Sequence, residues 1–372
     1  MTDTVKSMFR KIKWLILYAL YRIICLFSNQ RQILILKNSI SDSYGNIPEL
    51  INIIQRFPEN RRLKVVLEGE NPLRIVWFIA KAKVIVIDQS NKYISNIKIL
   101  DKTKIIHCWH GGGILKKIAY DDIKNISEIE KKRLSRIYRN IDYFIISDKN
   151  LSSVFAKAYN ININININKI LPIGLPRTDK LYHLSVEACR KQLIEDLHLA
   201  LDAKFILYAP TFREINGERV TPIPPVVPNR LRNKWSFLFR SHPSIKIESL
   251  PEPWIDVSEN DAYAILPCID ILISDFSSII YDFSYFKRPI LILATDLYEY
   301  IDKQRGIYLK LDSITDKSQI FTCWERAFDY VNKDCFLQSC LWQKYMNACD
   351  GEASYKLFNL IKKIVHDENK ND

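Results

Sequence analysis

Residues 104–117 read KIIHCWHGGGILKK. The apolar start has the composition of a buried strand, and it stops at Trp109 and His110. Three of the chain's 9 glycines follow at once, as Gly111, Gly112 and Gly113. Glycines there let the backbone approach a ligand or adopt positive φ, and their N–H groups could hold a phosphate beside Lys116 and Lys117. The spacing is not that of a Walker loop, and a purely structural turn is the alternative reading.

Short apolar runs of the same kind recur on both sides. QILILKNS (32–39), KVVLEG (64–69), KVIVID (83–88) and YFIISD (143–148) alternate with helical patterns such as PELINIIQRF (48–57) and LSSVFAKAY (151–159). A second series holds KFILYAP (204–210), WSFLFRSHP (235–243), ILISDFSS (271–278) and PILILA (289–294). Strand–helix alternation predicts parallel sheets covered on both faces, here α/β in two doubly wound Rossmann-like halves. The seam falls near GLPRTDKL (174–181), giving expected domains 29–180 and 181–372, with the last helix able to pack back on the first. In such folds ligands bind beyond the carboxyl ends of strands, so a cleft between the halves is the expected site.

A length of 372 residues suits two domains, and 48% hydrophobic residues suit a folded chain. The net charge of +12, from 54 basic and 42 acidic side chains, favours anionic partners. No nucleic-acid motif occurs and the lysines are not gathered in one run, so nucleic acid is not among the expected partners. The 8 cysteines form no CxxC pair, which argues against zinc and for ordinary thiols in a reducing compartment. NININININ (160–168) alternates like a strand, but asparagine is a poor strand former, so a surface insertion is expected.

The N-terminal stretch MFRKIKWLILYALYRIICLF (8–27) sets Arg10, Lys11 and Lys13 before an apolar run interrupted by Arg22. It is too short and too charged to span a bilayer, and SNQRQ after it makes a poor cleavage site. Residues 1–28 therefore read as an amphipathic helix lying in a membrane interface, the alternative being a helix packed on the domain. Its basic residues would face acidic headgroups, with Trp14, Tyr18 and Tyr21 at the boundary.

The remaining candidate chemistry also sits at strand ends. His242 in RSHP stands where His110 does in the first half, and either imidazole could act as general base. In SDFSSIIYDF (274–283), Asp275 closes a strand, and Ser277 and Ser278 open a helix that could cradle a pyrophosphate. Arg177, Arg213 and Arg305 lie on loops from which a guanidinium could fork onto phosphate. No DxD-type acidic pair stands at a strand end, so no obligatory metal is expected.

WHGGGILKK, GLPRTD, YAPTFRE, RSHP, SDFSSIIYDFSYFKRPILIL and RGIY, in that order between about residues 100 and 310, resemble the CDP-glycerol glycerophosphotransferase family. That family makes teichoic acids and related capsular polymers. The resemblance implies a GT-B fold and transfer of a polyol phosphate, most simply glycerol phosphate, from a CDP-activated donor to a hydroxyl on a lipid-linked acceptor, releasing CMP. It implies a peripheral place on the cytoplasmic face of the bacterial membrane. It also implies that His110 and His242 are the essential histidines, that Ser277 and Ser278 bind donor phosphate, and that Asp282 holds the ribose. Arg177, Arg213 and Arg305 would line the cleft. Where members often read HGTPLK, this chain has glycines and isoleucine at 112–114, which touches the acceptor side. The resemblance implies one GT-B unit without the extra N-terminal portion of the long polymerases, an expected build closer to the priming enzymes and short capsule transferases. The competing expectation is a GT-B glycosyltransferase using a sugar nucleotide.

Overall fold

Strand β1 (Gln32–Lys37) is buried from Ile33 through Leu36, so both of its faces are covered. A continuous Ile/Leu run of this kind is what a parallel strand between two helix layers requires. The structure is a computed structural model that describes residues 3–37, 45–122, 127–160, 167–242 and 245–366. Residues 161–166 of the Asn/Ile repeat lie outside the described residues.

The described chain divides into two units. In the first, β1 pairs in parallel with β2 (Leu63–Leu67) and β3 (Ala82–Ile87). Beyond β3 come β4 (Lys104–Cys108), β5 (Tyr143–Ile145) and β6 (Ile170–Leu171), giving the order β2-β1-β3-β4-β5-β6. Ile33, Ile35, Val84, Val86 and Ile106 meet helix α2 (Asn46–Gln55) and the last helix, Ala353–His366, in one core. Helix α3 (Pro72–Lys81) is started by Asn71, whose side chain accepts from the Leu73 amide, with Pro72 at its first position. The last helix has a remote cap: Asp179 accepts from the amides of Ala353 (3.0 Å) and Ser354 (2.7 Å). That carboxylate supplies acceptors for two N–H groups the helix itself leaves open.

The second unit has β7 (Phe205–Ala209), β10 (Ser236–Phe239), β11 (Ile255–Asp256), β12 (Ile271–Ser274), β13 (Ile290–Leu293) and β14 (Ile320–Phe321). They pair in parallel in the order β11-β10-β7-β12-β13-β14, the doubly wound arrangement with its reversal between β7 and β12. Phe237, Phe239, Ile271, Ile273 and Leu291 form its core with Trp254 and Phe328. An antiparallel ribbon, β8 (Arg213–Ile215) and β9 (Glu218–Val220), was not expected from the sequence, although Asn216-Gly217 between the strands is a hairpin signal.

The change of unit at Asp179/Lys180 lies beside the expected seam. Gly111–Asp122 count with the second unit, and Ala348–His366 count with the first.

Helix α1 spans Asp3–Phe27 and packs along α3. Leu17, Tyr21 and Cys25 are buried, and the Tyr21 hydroxyl accepts from the Leu100 amide at 2.9 Å. Tyr21 therefore does not stand at a membrane boundary, and Trp14 meets Tyr93 edge-on at 5.4 Å. Ile12, Leu15, Ile16, Ile23, Leu26 and Phe27 are exposed on the same helix, so it is apolar on more than its packed side. Among the described residues no helix is long and apolar enough to cross a membrane. Cys25, Cys108 and Cys268 are buried thiols, whereas Cys335 and Cys340 are exposed rather than buried.

Candidate active site

In the first unit the site is the end of β4. Beyond Cys108 the chain opens at Trp109 and then at His110, which is exposed. The His110 ring lies against Trp109, with centroids 4.3 Å apart, and Trp109 in turn meets Phe155 edge-on. Two polar groups clamp the backbone there. Asn46, at the start of α2, donates from its amide to the Trp109 carbonyl and accepts from the Arg177 amide at 3.1 Å. Arg177 donates to the His110 carbonyl at 2.6 Å. Arg177 is thus buried against the strand end that carries His110, and this much of its fork is spent on protein.

The glycines are needed for packing. Gly113 has φ +51°, and a Cβ built there would fall on the ring of Tyr281. A Cβ at Gly112 would meet Met346 Sδ at 2.8 Å and Tyr281 Cβ at 3.0 Å. The space that a side chain would need is held at 112 by Met346 and Tyr281, and at 113 by the Tyr281 ring. Gly111 does not have a positive φ.

After the glycines, residues 115–118 run beside 306–308. Lys116 bridges Ile307, the Lys117 amide donates to Gly306, and the Tyr308 amide donates to Leu115. This pairing carries Arg305 to Asp122, a 2.9 Å ion pair with a buried carboxylate. Lys116 is half-buried and has no hydrogen-bond or ion-pair partner among the described residues. Burial first, and then the positive charge of Arg305, lower its pKa to about 8.

The reversal point between β7 and β12 gathers most of the expected donor residues. Asp275 accepts from the amides of Thr211 (2.7 Å) and Phe276 (2.5 Å) and pairs with Arg213 at 2.8 Å. Arg213 also pairs with Asp296 through two nitrogens, at 2.6 and 2.8 Å, and donates to the Thr211 carbonyl. Burial opposes its charge, but Asp296 and Asp275 more than offset that and raise its pKa. Arg213 and Asp275 were expected to grip the donor. Their donors and acceptors instead go to each other, and they build the loops that present Thr211 and Ser277. Thr211 is buried, and its hydroxyl has no partner among the described residues.

Ser277 and Ser278 are half-buried beyond β12. Ser277 Oγ accepts from the Ile279 amide at 3.4 Å, whereas Ser278 caps no amide with its side chain. Asp282 is buried on the five-residue helix Ile279–Phe283, which argues against an open ribose contact.

His242 follows β10. Arg240 is buried and donates to the carbonyls of Val257 (2.9 Å) and Asn260 (2.7 Å), fixing the strand end. The His242 ring meets Phe212 edge-on at 5.0 Å. Burial first, then Lys116 and Arg219, lower its pKa to about 4, so it is neutral at pH 7. Lys116, His242, Arg305 and the Asp275–Arg213 pair thus act on one another electrostatically within the second unit. The sequence reading missed Asn46, Phe212, Arg219 and Asp296, whose roles depend on partners far along the chain.

The sequence matches the family described as CDP-glycerol:poly(glycerophosphate) glycerophosphotransferase over residues 51–363. It is 29% identical over 318 residues to a teichoic acid glycerol-phosphate primase of Bacillus subtilis strain 168, covering 81% of this chain and 79% of that protein. It is 28% identical over 304 residues to a teichoic acid ribitol-phosphate polymerase of Staphylococcus aureus strain NCTC 8325, spanning 52% of that longer protein. In structure it resembles the wall teichoic acid polymerase TagF, with a TM-score of 0.72, 20% identity and 99% of each chain covered. That likeness gives the chain a GT-B type fold. A family match over most of the chain, on a fold of that type, leads to one assignment: this chain belongs to the CDP-glycerol:poly(glycerophosphate) glycerophosphotransferase family.

Proposed function

We propose that this enzyme transfers a polyol phosphate, most simply glycerol phosphate, from a CDP-activated donor to a hydroxyl of a lipid-linked acceptor, releasing CMP. The supporting observation is Lys116, a half-buried residue without a carboxylate partner among the described residues, close enough in charge to act on a neutral His242 beyond the end of β10. A cation left unpaired beside other cations favours an anionic ligand, and a diphosphate satisfies it.

In the reaction the acceptor oxygen attacks the β-phosphorus of the donor. The new P–O bond forms, the bond to the CMP oxygen breaks, and CMP leaves with that electron pair. His110, exposed at the end of β4, takes the hydroxyl proton. His242 offers a ring N–H to a phosphate oxygen, and Lys116 with Arg305 neutralises charge on the departing CMP. Ser278 and Thr211 supply hydroxyl donors to the diphosphate. A bound donor would offset the push of Lys116 and Arg219 on His242 and raise its pKa towards neutrality.

The exposed apolar residues of α1, flanked by Arg10, Lys11, Lys13 and Arg22, support peripheral attachment to an acidic membrane surface where a lipid-linked acceptor would lie. Removing the whole helix would uncover the packing of Leu17, Tyr21 and Cys25, so substitution is the better test. Leu15→Glu, Ile23→Glu and Phe27→Glu together should release the protein from acidic liposomes while leaving donor hydrolysis intact; unchanged liposome binding would refute the attachment.

The reaction itself is tested by incubating the protein with CDP-glycerol, CDP-ribitol and a UDP-sugar, each with a lipid-linked acceptor. CMP release from one CDP-polyol, with phosphate appearing in the product, is the expected result. UDP release alone would replace this reading with sugar transfer.

A further inference from the structure

The β8–β9 ribbon is turned by Asn216 and Gly217, with φ of 54° and 82°, and its strands are exposed except at Arg213. Its base is nonetheless firmly tied. Arg213 is held by Asp275 and Asp296, and Glu214 exchanges two hydrogen bonds with the Gln304 side chain, at 3.1 and 3.0 Å. Gln304 immediately precedes Arg305, so the ribbon and the Arg305 loop are anchored together.

The pairing register sets Glu214 directly opposite Arg219. Opposite charges facing each other across a ribbon ordinarily pair. Here they do not: Arg219 makes no ion pair among the described residues, and its guanidinium lies over the Phe212 ring at 4.8 Å. The same ring meets His242. Next to Phe212, Thr211 carries a buried hydroxyl without a partner among the described residues. A guanidinium is thus held on an aromatic platform that also meets an imidazole, whose pKa its charge lowers, with its available carboxylate left aside. Cation–π contact orients Arg without consuming its N–H donors, which suits a group waiting for an oxyanion.

From this arrangement we propose that Arg219 is a donor-binding residue: carried by the ribbon and aimed by Phe212, it grips the diphosphate of the nucleotide-activated substrate beside His242. This rests on the reading given under Proposed function and adds a residue outside the motifs that carry the family resemblance. The ribbon then acts as a fixed arm over the β7–β12 reversal point, and Lys116 and Arg219 supply separate cations to the diphosphate.

The test uses the full chain and measures binding of inorganic pyrophosphate by titration calorimetry, with melting temperature as the control for folding. Arg219→Ala should weaken pyrophosphate about tenfold without lowering the melting temperature, and Arg219→Lys should restore part of the loss. Phe212→Leu, which keeps the charge and removes the platform, should also weaken binding. Arg230→Ala, which removes a surface arginine paired with Asp329, should leave it unchanged. In turnover with a CDP-polyol, Arg219→Ala should raise the donor KM about tenfold with kcat nearly constant. Wild-type affinity in Arg219→Ala, a loss equal to that of Arg230→Ala, or no pyrophosphate binding by the wild type would each overturn the proposal. If Arg219→Ala loses pyrophosphate binding but the wild type turns over no CDP-polyol, this site stands and the proposed reaction fails.

Discussion

Arg177 Nη1 donates to the main-chain carbonyl of His110 at 2.6 Å, and the Arg177 amide donates to Asn46 Oδ1. The exposed imidazole is therefore set by a buried guanidinium that arrives from 67 residues away in sequence. Lysine cannot reproduce the fork, and a shift of about 1 Å in a reacting group can cost roughly a hundredfold in rate. Arg177→Lys should lower kcat by about that factor while the donor KM stays within about threefold. Equal kcat in the variant would show that the clamp does not position His110.

Tyr281 occupies the space that a side chain at residue 113 would need. Gly113→Ala combines a left-handed backbone with overlap on that ring, and should destabilise the fold by roughly 2–4 kcal/mol in denaturant unfolding. Tyr281→Ala in the same chain should recover part of that loss, so the two substitutions should cost less together than their separate costs added. Full additivity would place the strain elsewhere.

Lys116, lowered to about 8, should lose its proton in the mildly alkaline range. An anionic donor binds the protonated form, so donor KM should rise about tenfold per pH unit above that value and stay flat below it. Lys116→Arg should abolish the rise, because arginine stays charged there, and Lys116→Ala should give weak, pH-independent binding. A steep rise that persists in Lys116→Arg would assign the alkaline limb to another group.

His107 is buried on β4 between Trp109 and Phe144, its Nδ1 has no hydrogen-bond partner among the described residues, and burial lowers its pKa to about 4. The unfolded chain, with a histidine pKa near 6.5, binds the proton more readily than the folded one. Stability from this group is complete above about pH 6.5 and falls as pH drops towards 4, by about 3 kcal/mol at most. His107→Leu should flatten that part of the acid unfolding curve. The remaining slope over the same window would include His242, whose pKa is lowered in the same direction.

Parallel strands could be read from the sequence because burial on both faces leaves long Ile, Leu and Val runs, as in QILILK and KVIVID. The strand ends could be read for the same reason: polar or glycine residues interrupt those runs at His110, His242 and Asp275, where loops must leave the sheet. Arg213 and Arg305 were also found, but as loop cations only. Nothing local distinguishes an arginine that is spent on Asp275 and Asp296 from one left for a ligand. Arg219 drew no notice because, with Glu214 and Glu218 close by in sequence, nothing local sets it apart from an ordinary surface charge. The Asn-Gly dipeptide beside it was the available signal for the hairpin.

By itself the sequence determined two doubly wound parallel sheets, the strand ends where chemistry gathers, and the family, since each depends on residue order and short-range periodicity. Only the tertiary structure decided that the glycines at 112 and 113 make room for Tyr281, that Arg213 is held by Asp275 and Asp296, and that Lys116 forms no ion pair among the described residues. Those outcomes depend on which distant group arrives first within hydrogen-bonding or van der Waals reach. Burial patterns along the chain carry the direction each side chain must face, but not the identity of the partner it meets there.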